Sequence, residues 1–187
     1  MGDAAVELTA NAEANKNTAY TINVYTMDTE GAYGDPVTHN RTGETDTTAN
    51  ATVEFGTPAT GFTLDTEMST VNLSGNIDGE GTLVINVYYS RNRHSVTIDS
   101  TAAGLDTSKI SGAKVYYFGE EVTVTADVLP GYTFDGWTVG GTQQSANKTY
   151  TFTMGDASVA LKANAHANTD TKFNVSVLVM NTNGNYT

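Results

Sequence analysis

The residues that could support chemistry are few, and their spacing matches no familiar catalytic motif. Histidine occurs only at His39, His94 and His166, which lie far apart along the chain. None of them falls in a nucleophile-elbow or zinc-protease sequence. Cysteine is absent, so the chain has no thiol for zinc, iron–sulfur or redox chemistry. We therefore predict that the protein is not an enzyme and uses no cofactor.

One acidic loop has the residue types of a cation site. The sequence NIDGEG places Asn76, Asp78 and Glu80 close to one turn, and Ca²⁺ prefers several oxygen ligands that converge. The loop lacks the acidic spacing and the distal bidentate glutamate of a calcium-binding loop. We favour a hairpin turn and predict no metal site. Asn76, Asp78 and Glu80 are the candidate ligands for the alternative, a bound cation.

The only tryptophan is the next candidate for binding. Trp137 lies in the sequence GYTFDGW and could stack on a sugar ring, but a large aromatic side chain in a small module is usually the core anchor. We assign Trp137, Phe134 and Tyr132 to the core.

Two tyrosine pairs are candidates for ligand contact. Tyr88 and Tyr116 each precede a second tyrosine, and successive side chains of a strand face opposite sides. One ring of each pair should therefore point outward. Tyr88 and Tyr116 are the predicted ligand contacts.

The charge balance excludes two classes of partner. The chain carries 9 Lys and Arg against 21 Asp and Glu, which gives a formal net charge of −12. Such a surface repels phosphate backbones and anionic lipids. Because no apolar run approaches membrane-spanning length, we predict neither nucleic-acid binding nor membrane insertion.

Apolar residues alternate with Thr, Asn and Ser along most of the chain, which predicts β-strands. Tyr20, Ile22 and Val24 share one strand face, and similar faces recur at 83–89, 122–128 and 173–179. The one predicted helical piece is short, near 105–110. The expected fold is mainly β.

A repeat with an offset of 153 residues organises the chain. Residues 1–12 read MGDAAVELTANA and residues 154–165 read MGDASVALKANA. The match continues as Tyr20 with Phe173, Ile22 with Val175 and Val24 with Val177, and ends at Tyr33 with Tyr186. We therefore expect an excerpt of a tandem array, in which Met1 is not a natural translation start.

Each period contains two modules joined by almost no linker. We predict modules at 18–90 and 91–167, preceded at 1–17 by the closing strand and joint of an earlier module. Residues 168–187 are predicted to be the opening strand of the next repeat. Because strand follows strand through three residues near Asn92, the joint is too short to be flexible, and the pair of modules should be elongated.

The second module carries the strings HSVTIDSTAAGL, VYYFGEEVTVTADVLPGYTFDGWTVGG and KTYTFTMGDASVALKANA. It resembles the divergent internalin-type B-repeat (bacterial repeat) family. The first module, from YTINVYTMDTEGAYG to TLVINVYYSRN, looks like the mucin-binding-protein (MucBP) repeats. These resemblances imply two small, non-catalytic, β-rich modules with a β-grasp-like fold, in tandem along bacterial surface adhesins. They also imply a core aromatic at Trp137.

These observations favour an extracellular stalk or spacer in a secreted or wall-attached bacterial adhesin, whose partners are the neighbouring repeats of the same array. Two alternatives stay open. The modules could bind glycans or a host surface protein, or the chain could be the subunit of a filament that assembles through its terminal strands.

Overall fold

The computed structural model describes residues 7–68 and 71–186, and it is mainly β, as the sequence predicted. The strands of the described chain are β1 (Thr18–Thr26), β2 (Val37–Gly43), β3 (Thr48–Asn50), β4 (Phe62–Asp65), β5 (Ser74–Asn76), β6 (Val84–Arg91), β7 (Arg93–Asp99), β8 (Val115–Tyr117), β9 (Glu121–Thr125), β10 (Tyr132–Val139), β11 (Thr142–Ser145), β12 (Thr149–Thr153) and β13 (Val159–Ala167). A short helix α1 (Thr52–Phe55) follows β3. The helical piece expected near 105–110 is a 3₁₀ turn at Thr107–Lys109.

The chain forms two compact units that do not follow sequence order. Unit 1 comprises Met1–Ser95 together with two later segments, Val115–Glu121 and Thr153–Ser158. Unit 2 comprises the remaining segments, which are Val96–Lys114, Val122–Phe152 and Val159–Thr187. Two segments that lie within the predicted second module thus pack with residues of the first.

Unit 1 is built on a four-stranded sheet in the order β2-β1-β6-β4. β1 lies between β2, to which it is antiparallel, and β6, to which it is parallel. The alternation in the sequence decides the buried face, since Ile22, Val24, Ile85 and Val87 are all core residues. Ile77 packs in the same cluster, next to the β3–β5 pair.

The opposite face of this sheet is also covered, which corrects the prediction for Tyr88. Its side chain is only 6% exposed. The ring stacks on Tyr25 with centroids 4.4 Å apart, and the Tyr33 ring meets it edge-on at 5.1 Å. Tyr33 is held in place by its hydroxyl, which donates to Asp65 Oδ2 at 2.7 Å. Tyr88 therefore belongs to an aromatic cluster on this second face of the sheet, and its ring does not face solvent.

Tyr116 requires the same correction. It is 4% exposed, whereas its neighbour Tyr117 is half-buried. Alternation along the strand holds, but the more exposed ring of this pair is the other tyrosine.

Unit 2 contains the strands that surround Trp137. β10 pairs with β11 and β13, β9 pairs with β12, and β13 runs parallel to the last four residues of β7. Trp137 is completely buried, and its indole N–H donates to the Lys148 carbonyl at 3.3 Å. The Phe134 ring meets the indole edge-on at 5.8 Å. Phe134 and Tyr132 are half-buried.

The two terminal segments form no strand in the described residues, in contrast to the prediction. Residues 7–17 are exposed, and residues 1–6 lie outside the described residues. Residues 168–179 are exposed along their whole length. In the repeat, residues 173–179 correspond to β1, and β1 itself fills the position between β2 and β6.

Candidate functional site: the joint around Asn92

A single residue, Asn92, separates β6 from β7, and all of its polar groups are engaged. Its backbone N–H donates to the Gly61 carbonyl at 2.9 Å, and its carbonyl accepts from the Phe118 N–H at 2.8 Å. The side-chain Nδ2 donates to Asp156 Oδ1 at 2.8 Å, and Oδ1 accepts from Thr63 Oγ1 at 2.7 Å. Four contacts to four positions leave this residue little freedom to rotate, although it lies where a linker would be expected.

Asp156 gathers donors from three positions. Its carboxylate accepts from Asn92 Nδ2, lies 2.8 Å from His94 Nε2, and accepts from the Gly61 N–H at 3.2 Å. The pKa of Asp156 is lowered, chiefly by the hydrogen bonds from Asn92 and His94, because both favour the charged form. The ionised carboxylate therefore holds the segment after β12 against the start of β7.

Phe118 packs on a glycine that no other residue could replace without movement. Gly61 has φ +84°, and a Cβ placed there would lie 2.1 Å from Phe118 Cδ1. The Phe62 ring meets Phe118 edge-on with centroids 6.2 Å apart. Glycine is needed here both for the backbone conformation and for the close approach.

Arg91 ties the end of β6 to two loops. Its Nε donates to the Met27 carbonyl at 3.1 Å, and Nη1 donates to the Phe118 carbonyl at 2.7 Å. The guanidinium carbon lies 4.8 Å from the centroid of the Phe62 ring, a cation–π distance. One side chain thus links the end of β1, the loop after β8 and the first residue of β4.

Tyr117 repeats the packing of an aromatic ring on a glycine. Gly31 has φ +85°, and a Cβ there would lie 2.5 Å from the Tyr117 hydroxyl oxygen. Arg93 covers the same ring at 5.1 Å. Tyr117 at the end of β8 and Phe118 directly after it therefore pack on two glycines, Gly31 and Gly61, within unit 1.

This cluster, which we call the joint, comprises Gly61, Arg91, Asn92, Phe118 and Asp156. Its polar atoms contact one another, and the Phe118 ring packs against the Phe62 ring. These contacts hold the end of β6 to the segments around Phe118 and Asp156. We take this cluster as the candidate functional site.

The acidic loop considered as a cation site uses its carboxylate internally. Asp78 Oδ1 accepts from the N–H groups of Glu80 and Thr82, each at 3.0 Å, and Oδ2 accepts from Thr82 Oγ1 at 2.7 Å. The pKa of Asp78 is lowered by these bonds, with Thr82 the largest contributor. Asn76 lies in β5, paired with Thr48. Across residues 7–68 and 71–186, no three carboxylate or imidazole groups come together as metal ligands.

The histidines have separate partners. The His39 ring lies 4.9 Å from the Phe55 ring, and His166 Nδ1 lies 2.6 Å from Asp135 Oδ1. Of the three, His94 contacts the joint, through Asp156.

The short connection at Asn92 was predictable from the sequence, but most of the other residues of the joint were not. Asp156 could have been found, since it stands in the repeated Met-Gly-Asp at residues 154–156 and 1–3. Gly61 ends the sequence GTPATG, whose residue types favour a turn but do not indicate what packs against it. Phe118 offered no signal, because its contacts lie far away in sequence.

Residues 94–169 match the family model of the divergent InlB B-repeat domain. This confirms the B-repeat part of the resemblance. That family is typical of bacterial surface proteins and is generally non-catalytic. No curated protein matches the chain. None of the helices in the described part of the chain is long and apolar enough to span a membrane.

Proposed function

We propose that this chain is a non-catalytic spacer of a bacterial cell-surface adhesin, which holds a binding region away from the cell. The observation that carries the proposal is the joint, where Asn92 uses all four of its polar groups instead of acting as a flexible linker. All five residues of the joint lie in unit 1, so these hydrogen bonds stiffen the connection from β6 to β7 inside that unit. The family match over residues 94–169 supports the setting, a surface protein built of repeats.

Charge supports the same role. A net charge of −12 on 187 residues makes successive copies repel one another, which favours an extended and soluble array. Screening by salt weakens this repulsion over about 8–10 Å at physiological ionic strength.

The decisive experiment replaces the segment in the bacterial surface protein that carries it. One variant substitutes an unrelated β-rich spacer of matched length, and a second deletes the segment without replacement. A spacer predicts that adhesion survives the first change and falls with the second. Loss of adhesion with the matched spacer would refute the proposal, because it would assign recognition to the segment itself.

A second candidate function is glycan binding, favoured by a cleft of about 430 Å³ in unit 2. Half-buried Tyr132 and Phe134 line it together with Asn147 and Lys148, and aromatic faces bordered by polar groups suit sugars. The resemblance of residues 18–90 to MucBP repeats also favours glycan binding. A glycan array probed with the full chain tests it, with Asn147→Ala as the variant that should lose any signal.

A further inference from the structure

The segment after β13 ends in a turn that copies the turn after β1. In the first turn the Asp28 N–H donates to the Ala32 carbonyl at 2.8 Å, and in the second the Asn181 N–H donates to the Asn185 carbonyl at 2.8 Å. The bridge between Met27 and Tyr33 recurs between Met180 and Tyr186, 153 residues later. The repeat in the sequence is therefore also a repeat in local structure.

The side chains that cap the two turns act in the same way. Asp28 Oδ1 accepts from the N–H groups two and four residues later, at 3.0 and 2.8 Å. Asn181 Oδ1 accepts from the N–H groups two and four residues later, at 3.0 and 3.0 Å. An amide oxygen replaces a carboxylate oxygen and preserves the geometry. The turn thus forms from local sequence even where no sheet surrounds it.

The residues before the two turns have the same pattern and opposite burial. Ile22 and Val24 in β1 are 3% and 8% exposed. Their counterparts Val175 and Val177 are 73% and 78% exposed, and Phe173, which corresponds to Tyr20, is 84% exposed. The later segment therefore presents the inward face of a central strand without the sheet that would cover it.

We propose that residues 172–180, which we call the donor segment, bind a second copy of this chain between its β2 and β6, in the position of its β1. The partner follows from the pattern, because β1 fits between exactly these neighbours. In that position Val175 takes the place of Ile22, which faces Ile85 in β6, and Val177 takes the place of Val24, which faces Val87. The turn at Asn181 then lies where the turn at Asp28 lies now.

The exchange is close to balanced in buried surface. Phenylalanine replaces tyrosine, one valine replaces an isoleucine, and the other replaces a valine. The resident β1 has the advantage of belonging to the same chain, where its effective concentration is in the millimolar range. The donor segment therefore enters when the resident strand is weakened or when the local concentration of chains is high. Because donor and acceptor are different surfaces, the contact is head-to-tail and can propagate.

The experiment uses two full-length variants that differ only in the donor segment. In the first, Ile22→Asp and Val24→Asp disable the resident strand. In the second, Val175→Asp and Val177→Asp are added as the matched control. Mass is measured by light scattering from about 5 to 200 µM, and protection of the amides of residues 173–179 by hydrogen exchange.

The expected result is a mass of a dimer or more for the first variant, with amide exchange in the donor segment slowed at least tenfold. The control should stay monomeric and unprotected. Equal mass and equal exchange in the two variants would overturn the proposal. Slowed amide exchange in a variant that stays monomeric would contradict a second copy as the partner, because the donor segment would then occupy the β1 position of its own chain.

A second measurement covers the case in which the β1 variants fail to fold. The wild-type chain is refolded from urea with a labelled peptide of residues 168–187 at 1 mM, and a peptide with both valines replaced by Asp serves as control. Capture of the native peptide at a level at least five times that of the control supports the proposal. Equal capture of the two peptides would contradict it.

Discussion

Asn92 Nδ2 donates to Asp156 Oδ1 at 2.8 Å, a bond between residues 64 positions apart. It joins the residue between two consecutive strands to a loop that the chain reaches only after five further strands. The short connection at Asn92 is therefore stiffened from outside as well as by its own length. Because Gly61 and His94 contact the same carboxylate, the joint behaves as one cluster.

Replacing Asn92 with Ala should destabilise unit 1 by about 1–3 kcal/mol. The change removes the side-chain hydrogen bonds to Thr63 and Asp156 and leaves their groups without that partner. Urea unfolding followed by circular dichroism measures the loss. Asn11→Ala, in the exposed segment before β1, is the control and should change the free energy of unfolding by less than about 0.5 kcal/mol. Equal effects of the two changes would contradict the role given to Asn92.

Gly61→Ala should cost more than about 1 kcal/mol in the free energy of unfolding, because alanine is strained at positive φ and its Cβ would collide with the Phe118 ring. Gly34→Ala is a matched control in the same unit, since a Cβ there meets no atom within 4 Å. Thermal unfolding of both variants checks this. An unchanged melting temperature for Gly61→Ala would show that the packing of Phe118 does not restrict position 61 to glycine.

Acid should weaken unit 1 through Asp156. The pKa of Asp156 is lowered by the hydrogen bonds from Asn92 and His94, so the unfolded state binds a proton more readily than the folded one. The stabilisation is fully present above the ordinary carboxyl pKa of 3.8 and is lost as the pH falls through the lower folded value.

Urea midpoints measured from pH 7 to pH 2 test this linkage. Asp156→Asn should flatten the acid limb of the curve, because residue 156 no longer titrates. Asp170→Asn, in the exposed segment after β13, should leave the curve unchanged. An acid limb of wild-type slope in Asp156→Asn would argue against the contribution of this carboxylate.

Trp137→Ala should destabilise unit 2 by about 3–5 kcal/mol, the usual cost of removing a large buried aromatic side chain. Trp137 is fully buried and packs against Phe134. Phe173→Ala, at a residue that is 84% exposed, is the control for loss of an aromatic ring. Calorimetric unfolding compares the two, and an unchanged melting temperature in Trp137→Ala would show that the indole is not a core anchor.

Alternation was sufficient to predict several of the strands, among them β1, β6 and β9. The period-two pattern gave the inward faces at Ile22 and Val24 and at Ile85 and Val87, which all lie in the core. These predictions succeed because strand side chains alternate whatever the sheet order. The same local rule predicted a strand at residues 173–179, where the structure has none, because a strand also needs a neighbour to pair with.

The tyrosine pairs show the limit of the same rule. Alternation establishes that Tyr88 and Tyr89 face opposite sides, but it does not say whether the second side meets solvent. Tyr25 and Tyr33 cover Tyr88. Their position beside Tyr88 depends on the parallel pairing of β1 with β6. No local pattern encodes that pairing.

By itself, the sequence determined the mainly β fold, the 153-residue repeat, the short connection at Asn92 and the absence of a thiol. Each of these depends on residue type or on spacing along the chain. Only the tertiary structure decided that Gly61, Phe118 and Asp156 meet at Asn92, and that Val115–Glu121 and Thr153–Ser158 pack in unit 1. The physical reason is that long-range contacts are selected by the packing of the whole chain, whereas turns and strand faces follow from the few residues that form them.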